Sequence, residues 1–292
     1  MIHGKLRKMA VTPKGAKDGK MMNMDNGMKL AVLIDAENIS SKYIKTILDE
    51  ASNNGNILFK RIYGNWTNNQ MATWKDVILD NSIQPIQQYC NTVGKNASDS
   101  TMIIDAMDLL YTGRVEGFCI VSSDSDFTRL ASRLRESEVF VIGMGELKTP
   151  KSFISACNKF SYLDILYSEE KQVAEPLPPM KEPKKRGGKV IKTIPQEKRD
   201  ATVIVGNQES GANISNISRA IHAIIEEHSD DDGWMFSGKL GNQLMKRFPD
   251  FDVRNFGFKK LVPFIESMGK FEVRKNQNPD DPNVHQVHVR NK

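Results

Sequence analysis

Residues 118–130 read FCIVSSDSDFTRL, a stretch that joins an apolar run to two closely spaced acids and then to helical spacing. Its first four residues suit a strand that is buried on both faces of a parallel sheet. Asp124 and Asp126 follow this strand with only Ser125 between them. Because two carboxylates this close repel each other, we expect the fold to place them beside something positively charged.

Strand and helix signals alternate throughout residues 29–167. LAVLI (30–34) is an apolar strand, and SSKYIKTILDEAS (40–52) places its apolar residues at helical spacing behind serines suited to capping. The alternation continues to a last predicted strand near 160–166. Repeated strand-helix units predict an α/β domain with a mostly parallel sheet and helices on both faces.

The remaining segments have a different character. Residues 1–28 are rich in Lys, Gly and Met without periodicity, and we interpret them as a disordered extension. Residues 168–212 include EPLPPMKEPKKRGGK and are too polar and proline-rich to fold alone, so we expect a flexible basic linker. Residues 213–290 show three helical patterns followed by two alternating strands. That order predicts a small α+β domain of the winged-helix type.

Composition narrows the compartment and the partners. The 292 residues carry a net charge of +5, which permits a polyanionic partner without requiring one. Three cysteines, at positions 90, 119 and 157, form no CxxC or Cys/His cluster, which indicates buried thiols in a reducing compartment. No window approaches the roughly 18 consecutive apolar residues of a membrane span. We therefore expect a cytoplasmic protein with no membrane partner.

Four acids are predicted to meet at the carboxyl edge of the sheet. Asp35 directly follows LAVLI, and Asp124 follows FCIVSS, so both lie where reactive groups collect in open parallel sheets. Asp126 and Asp99 each open a helix next to this edge. Asp105 lies about 240° further round the helix of Asp99 and points to its flank, so it is a weaker candidate.

These acids allow a structural interpretation and a chemical one. Each acid alone suits a turn or a helix N-terminus. Together they repel one another unless a cation lies between them, and Mg²⁺ and Mn²⁺ accept carboxylate and water oxygens. A metal ion held in this way can activate water to attack a phosphodiester. The pattern therefore predicts a Mg²⁺ or Mn²⁺ site and hydrolytic chemistry on phosphate.

A competing interpretation uses the same acids. DSDFT (124–128) fits the Asp-x-Asp-x-Thr pattern of the haloacid dehalogenase phosphatases, in which the first Asp is a nucleophile and the second an acid/base. Lys148 would serve as the later lysine of that family. However, Glu146 and Asp164 do not form its later acid pair, and Asp35 would have no role. This phosphatase hypothesis is the third choice.

Two longer stretches resemble the NYN domain, a branch of the PIN-like ribonuclease superfamily, across about residues 29–167. They are LAVLIDAENIS and GKNASDSTMIIDAMDLLYTGRVEGFCIVSSDSDFTRLASRLRESEVFVIGMG. The matching features are an Asp and an Asn after the first strand, an Asp that opens a helix ahead of an apolar stripe, and Asp-x-Asp-Phe after the fourth strand. The resemblance implies a metal-dependent ribonuclease fold.

By position, the resemblance also assigns site residues. The metal-binding acids are matched by Asp35, Asp99, Asp124 and Asp126, and the polar residue beside the first Asp is matched by Asn38. Some relatives have two adjacent acids at the motif of Asp99, whereas in this chain the next residue is a serine.

Residues 233–274 read GWMFSGKLGNQLMKRFPDFDVRNFGFKKLVPFIESMGKFEVR and resemble a LOTUS (OST-HTH) domain, which we assign to residues 213–290. The resemblance implies a compact RNA-binding module. Sequence-independent affinity for RNA comes mainly from Lys and Arg at phosphates. The candidate contact residues are therefore Lys239, Lys246, Arg247, Lys259 and Lys260.

The combined hypothesis is a cytoplasmic, Mg²⁺- or Mn²⁺-dependent (endo)ribonuclease that hydrolyses RNA captured by its C-terminal module. The alternative is a catalytically weak RNA-binding adaptor, which is favoured by the serine that follows Asp99 in place of a second acid. Protein partners of the C-terminal domain are a further expectation.

Overall fold

The computed structural model describes residues 27–87, 97–174, 214–277 and 285–292. Nearly all of the predicted extension (1–28) and most of the predicted linker (168–212) lie outside these ranges. Among the helices within them, none combines the length and the apolar character needed to span a bilayer.

Strands and helices alternate along the first domain, as the sequence predicts. Its strands are β1 (Lys29–Asp35), β2 (Asn56–Gly64), β3 (Gln84–Gln87), β4 (Gly117–Val121), β5 (Phe140–Gly145) and β6 (Lys159–Tyr162). Its helices are α1 (Ile44–Asn54), α2 (Lys75–Asp80), α3 (Ala97–Tyr111), α4 (Thr128–Glu136), α5 (Lys151–Ala156) and α6 (Leu163–Ala174). A short 3-10 turn at Ser125–Phe127 leads into α4.

The strands form one six-stranded parallel sheet in the order β3-β2-β1-β4-β5-β6. The chain builds outward from β1 through β2 to β3 and then returns to place β4 on the other side of β1. Strand order therefore reverses between β1 and β4, where open parallel sheets place their binding sites. Because Ile34 pairs with Val121, Asp35 lies beside the residues that follow β4.

Helices cover both faces of the sheet, which confirms the predicted fold class. One core lies between the sheet and α3, α4 and α5, and the other lies between the sheet and α1, α2 and α6. Residues 30–34 of β1 are 0% exposed, so the strand is a continuous apolar run, as expected for one buried on both faces. This double cover leaves the strand ends and the sheet edges available for function.

The end of the first domain differs from the sequence-based expectation. The alternation predicts a strand near 160–166, but β6 ends at Tyr162 and α6 begins at the next residue. Leu163 and Tyr167 are one helical turn apart and both pack into the core beside α1, which favours helix over strand. Helix α6 continues to Ala174, beyond the expected end of the domain at residue 167.

The C-terminal domain has the helix-then-hairpin order that the sequence predicts. Its elements are α7 (Ile214–His228), β7 (Met235–Phe236), α8 (Ser237–Arg247), α9 (Leu261–Ser267), β8 (Phe271–Gln277) and β9 (His285–Asn291). Strand β9 lies between β7 and β8 in an antiparallel sheet. Ile217, Ile221 and Ile224 of α7 pack with Leu240, Leu244 and other residues into a core separate from those of the first domain.

The C-terminal domain lies against the β6 edge of the first domain. The backbone N–H of Phe160 in β6 donates to the carbonyl of Pro249 at 2.7 Å. The second domain therefore stands at the edge of the sheet opposite β3.

Candidate metal centre

Asp35 ends β1 and is held through both carboxylate oxygens. It is 1% exposed. Its Oδ2 accepts from Ser122 Oγ at 2.7 Å and from Asn38 Nδ2 at 2.8 Å, and its Oδ1 accepts from the backbone N–H groups of Glu37 and Asn38 at 3.1 and 3.3 Å. Burial raises the pKa of Asp35 above its ordinary value, because these hydrogen bonds only partly offset the loss of water. The donors fix the orientation of this carboxylate.

Ser122 links the ends of β1 and β4. Its hydroxyl donates to Asp35 and accepts from the backbone N–H of Asp124 at 3.0 Å. Asp124 caps the 3-10 turn that follows, because its Oδ1 accepts from the backbone N–H of Asp126 at 2.9 Å. The sequence reasoning missed Ser122, since one of two adjacent serines carries no signal of its own. Its place directly after a buried central strand was the available clue.

Three of the predicted acids bring their side chains together. Carboxylate oxygens of Asp99, Asp124 and Asp126 all lie within 4.8 Å of one another. We call these three residues the acid group. Asp99 lies in the first turn of α3 and is buried, Asp124 is half-buried, and Asp126 is exposed. The acid group therefore opens from the interior of the domain toward solvent, and Asp35 lies outside it.

Asp35 still shares the electrostatic environment of the acid group. The pKa of Asp99 is raised to about 6, first by burial and then by the negative charges of Asp35, Asp124, Asp126 and Glu37. Asp35 has the largest effect among these charges. The charges that act most strongly on Asp99 are all acidic, so negative charge is concentrated around this carboxyl.

The chemistry of this cleft fits a hard divalent cation. The three acids of the acid group offer carboxylate oxygens as ligand atoms, which Mg²⁺ and Mn²⁺ prefer. Oxygens bound to one such ion at 2.0 to 2.6 Å lie at most about 5 Å apart, and the acid group meets that limit. The residues present therefore fit the ion that the sequence predicts. Asn38 contacts Asp35 and would act on the site through it.

Asp105 lies on the same helix as Asp99 but has a different environment. It accepts from Arg61 and from the hydroxyl of Tyr63, both in β2. Burial and the nearby Asp105 carboxylate raise the pKa of Tyr63, so the phenol stays protonated and can donate. Asp105 is thus an ion-paired residue outside the acid group.

The residues that a phosphatase mechanism would need do not meet at the acid group. Lys148 Nζ lies 2.8 Å from Glu146. Asp164 accepts from the backbone N–H of Leu147 at 3.1 Å. Neither Glu146 nor Asp164 belongs to the acid group. The geometry therefore lacks the second acid pair of the haloacid dehalogenase pattern.

The five predicted RNA contacts of the C-terminal domain, residues 239, 246, 247, 259 and 260, are all exposed. Two of them also have partners within the domain. Arg247 lies 2.9 Å from Glu227, and Lys239 Nζ donates to the carbonyl of His228 at 3.2 Å. Exposure leaves these cations available to phosphate, although Arg247 would have to exchange one anionic partner for another.

Two further cations of this domain were missed by the sequence reasoning. Arg274 in β8 and Arg290 in β9 lie over the ring of Trp234, with their guanidinium carbons 4.4 and 4.7 Å from its centroid. Arginine over an aromatic ring is held by cation–π attraction. The two arginines are 16 residues apart and only the pairing of β8 with β9 brings them to one ring.

Two family models match the chain. The model of the NYN domain matches residues 29–164, and the model of the OST-HTH/LOTUS domain matches residues 212–282. These ranges coincide with the parallel-sheet domain and with most of the helix-and-hairpin domain. The family assignment made from the sequence is therefore confirmed.

Two solved structures are similar to parts of the chain. A Vibrio parahaemolyticus protein of unknown function is 16% identical, with a TM-score of 0.41, and the match covers 48% of this chain and 96% of that one. An uncharacterized Nitrosomonas europaea protein, studied by solution NMR, is 29% identical with a TM-score of 0.24, over 34% of this chain and 92% of its own. No curated protein matches the chain significantly.

Proposed function

Because the chain carries an NYN domain followed by an OST-HTH/LOTUS domain, we propose that it is a metal-dependent endoribonuclease that hydrolyses RNA held by the C-terminal domain. The observation that supports this most strongly is the acid group, whose carboxylate oxygens lie within 4.8 Å of one another. It occurs at the strand-order reversal between β1 and β4, where such sheets bind their ligands.

In this proposal Asp99, Asp124 and Asp126 hold Mg²⁺ or Mn²⁺, and Asp35 is the fourth acid of the site. When bound, the ion supplies positive charge for the phosphate oxygens and lowers the pKa of a coordinated water. Asp35 also has a positioning role, since its contact with Ser122 orients the hydroxyl that receives the N–H of Asp124. Asn38 supports Asp35 from the other side.

The acids also set a condition for substrate entry. A cleft with this much negative charge repels an RNA backbone, so RNA binding there requires the cation. The exposed lysines and arginine of the C-terminal domain, residues 239, 246, 247, 259 and 260, provide phosphate contacts away from the cleft. We therefore assign capture to the second domain and cleavage to the first.

The proposed compartment is the cytoplasm. Cys119 and Cys157 are free and buried. Burial raises the pKa of each thiol to about 12, which keeps both protonated and poorly reactive. Thiols of this kind agree with a reducing compartment.

An RNA-binding adaptor with little catalysis is the second candidate. The observation that favours it is Ser100, which follows Asp99 where some relatives have a second acid. In that case the acid group would still bind a cation, but RNA would be bound without being cut.

A circular RNA provides the most direct test, because only endonucleolytic cleavage can open it. We expect the purified protein to convert a circular RNA to linear products with Mg²⁺ or Mn²⁺ and not with EDTA. Gel-shift measurements on the same RNA report binding separately. Binding without cleavage under every metal condition would support the adaptor instead, and equal cleavage in EDTA would remove the metal from the proposal.

A further inference from the structure

Glu50 of α1 is a buried carboxylate that depends on both domains for its partners. It is 3% exposed, so its charge requires compensating groups. Lys159 Nζ lies 2.8 Å from Oε1, and Ser161 Oγ donates to the same oxygen at 3.1 Å. Among the described residues, the hydrogen bonds to Oε2 come from Arg254 alone, at 3.1 and 3.2 Å. Arg254 also reaches Oε1 at 3.3 Å, so Oε1 is shared by β6 and the C-terminal domain, whereas Oε2 is bound by the C-terminal domain.

Two more contacts continue this junction along β6. The N–H of Phe160 donates to the Pro249 carbonyl at 2.7 Å, which satisfies a backbone group on the outer edge of the sheet. The hydroxyl of Tyr162 donates to Asp250 Oδ2 at 3.1 Å, and both residues are buried. Open sheet edges are usually covered or blunted in native proteins. Here residues 249–254 of the second domain provide the cover.

The loop that supplies these contacts is also held by hydrogen bonds within the second domain. Asp252 Oδ1 accepts from the backbone N–H of Arg254 at 2.9 Å, and its Oδ2 accepts from the guanidinium at 2.5 and 2.9 Å. The side chain of Asn255 donates to the carbonyl of Asp250 at 2.9 Å. A side chain already held in its bound orientation loses little entropy on docking. Because Asp252 holds the Arg254 guanidinium in place, Arg254 needs little reorganisation to bind Glu50.

The charges at the junction are complementary. Burial on its own raises the pKa of Glu50, but Lys159 and Arg254 outweigh it and hold that pKa below its ordinary value. Glu50 is therefore ionised at neutral pH. Removing Arg254 would leave a buried carboxylate with half of its compensation, which is costly.

From these contacts we propose that Glu50 and the β6 edge form a docking site for residues 249–254 of the chain's own C-terminal domain, so that the two domains make one rigid unit. The segment 175–213 joins the end of α6 to the start of α7. Extended, a chain of that length reaches more than ~100 Å, so the connection puts no strain on docking.

Docking has a consequence for RNA that rests on the proposed function. The predicted RNA contact Lys259 follows Arg254 by five residues and so lies close in sequence to the seam between the domains. Strand β6 is two strands away from β4, a lateral distance of about 10 Å. A docked domain would hold captured RNA at a fixed offset from the acid group, whereas a free tether would not.

The docking is tested on the full-length chain with a protease recognition site inserted after Gly188, between α6 and α7. After cleavage, we expect the two halves to co-elute in gel filtration at micromolar concentration. Arg254→Ala should separate them, and Arg247→Ala, which removes a guanidinium from an ion pair inside the second domain, should not. Glu50→Gln weakens the same contact from the first domain and covers the case in which Arg254→Ala fails to fold.

Gel filtration and light scattering test the docking site without any RNA. The docking site would be overturned if the wild-type halves separate. It would also be overturned if the halves of both Arg254→Ala and Glu50→Gln co-elute as the wild-type halves do. Light scattering on the uncut protein should give a monomer, and a stable dimer would assign the site to a second copy instead. The RNA consequence is measured separately, as a rise of roughly tenfold in KM with little change in kcat for Arg254→Ala on long RNA. Absence of all cleavage would count against the proposed function and leave the docking result standing.

Discussion

Two buried carboxylates of the first domain, Asp99 and Glu50, have opposite surroundings. At the end of β4, Asp99 lies among other acids, and the pKa of Asp99 is raised to about 6 by burial and by their charges. At the β6 edge, Glu50 is also buried but lies between Lys159 and Arg254, and its pKa is lowered. Buried acids that have cationic partners hold the fold together. Acids that lie close to other acids, as in the acid group, are candidates for binding a cation.

The chemistry of the acid group should depend most strongly on Asp124. We expect Asp124→Asn to reduce metal-dependent cleavage roughly a thousandfold, equivalent to about 4 kcal/mol in the barrier, since it keeps the shape and removes a ligand charge. Cleavage rates at saturating metal and RNA, together with RNA affinity, measure this effect. Asp108→Asn is the control, because it makes the same change at an exposed position of α3 outside the acid group. Normal cleavage by Asp124→Asn would exclude this residue from the mechanism.

Glu50 should behave in the opposite way, with a loss of stability rather than of chemistry. Glu50→Ala leaves Lys159 and Arg254 without their shared anion, and removal of one member of a buried ion pair costs about 3 kcal/mol. Urea denaturation measures the free energy of unfolding. Asp49→Ala, at the neighbouring position of the same helix, is the control. A loss below that of the control would show that the Glu50 network contributes nothing to the fold.

Asp99 should behave differently from Glu50, because neutralising Asp99 should stabilise the metal-free protein. Its folded pKa lies above the unfolded value, so the stability that its proton contributes is present at low pH and is lost as pH rises toward 6. Asp99→Asn should therefore raise the free energy of unfolding by on the order of 1 kcal/mol at pH 8 in EDTA, and by less at pH 4. Thermal melts at the two pH values, without and with Mg²⁺, test this. Destabilisation at pH 8 would mean that Asp99 is held by favourable contacts rather than strained by repulsion.

The smallest expected effect concerns the cations of the second domain. Replacing both Lys259 and Lys260 by Ala should weaken binding to all RNA sequences alike and flatten the salt dependence by about one unit of slope for each phosphate that a lysine no longer neutralises. Titrations of labelled RNA at several salt concentrations give that slope. The double variant Lys45→Ala and Lys75→Ala makes the same charge change on exposed positions of the first domain. An equal salt-dependence slope in both double variants would mean that RNA affinity depends only on the net charge of the protein.

Much of the site followed from local patterns. The strand LAVLI ends at Asp35 and the strand FCIV is followed by Asp124, and in any parallel sheet strand ends of this kind face one edge. Asp99 was found because it opens α3 ahead of an apolar stripe. Ser122 was not found, because its importance comes from contacts with Asp35 and Asp124 that lie on two different strand ends.

Local sequence patterns were enough to predict the alternating elements, the parallel sheet and the acids at its carboxyl edge, because each depends on hydrophobic periodicity or on position within one element. Which acids are neutralised depends instead on contacts between distant parts of the chain. Asp99 and Asp105 lie on one helix, yet Asp105 meets Arg61 of β2 while Asp99 meets other acids. Arg254 reaches Glu50 across 204 positions of the chain. Charge balance depends on neighbours in space, and no local pattern specifies a neighbour that far away.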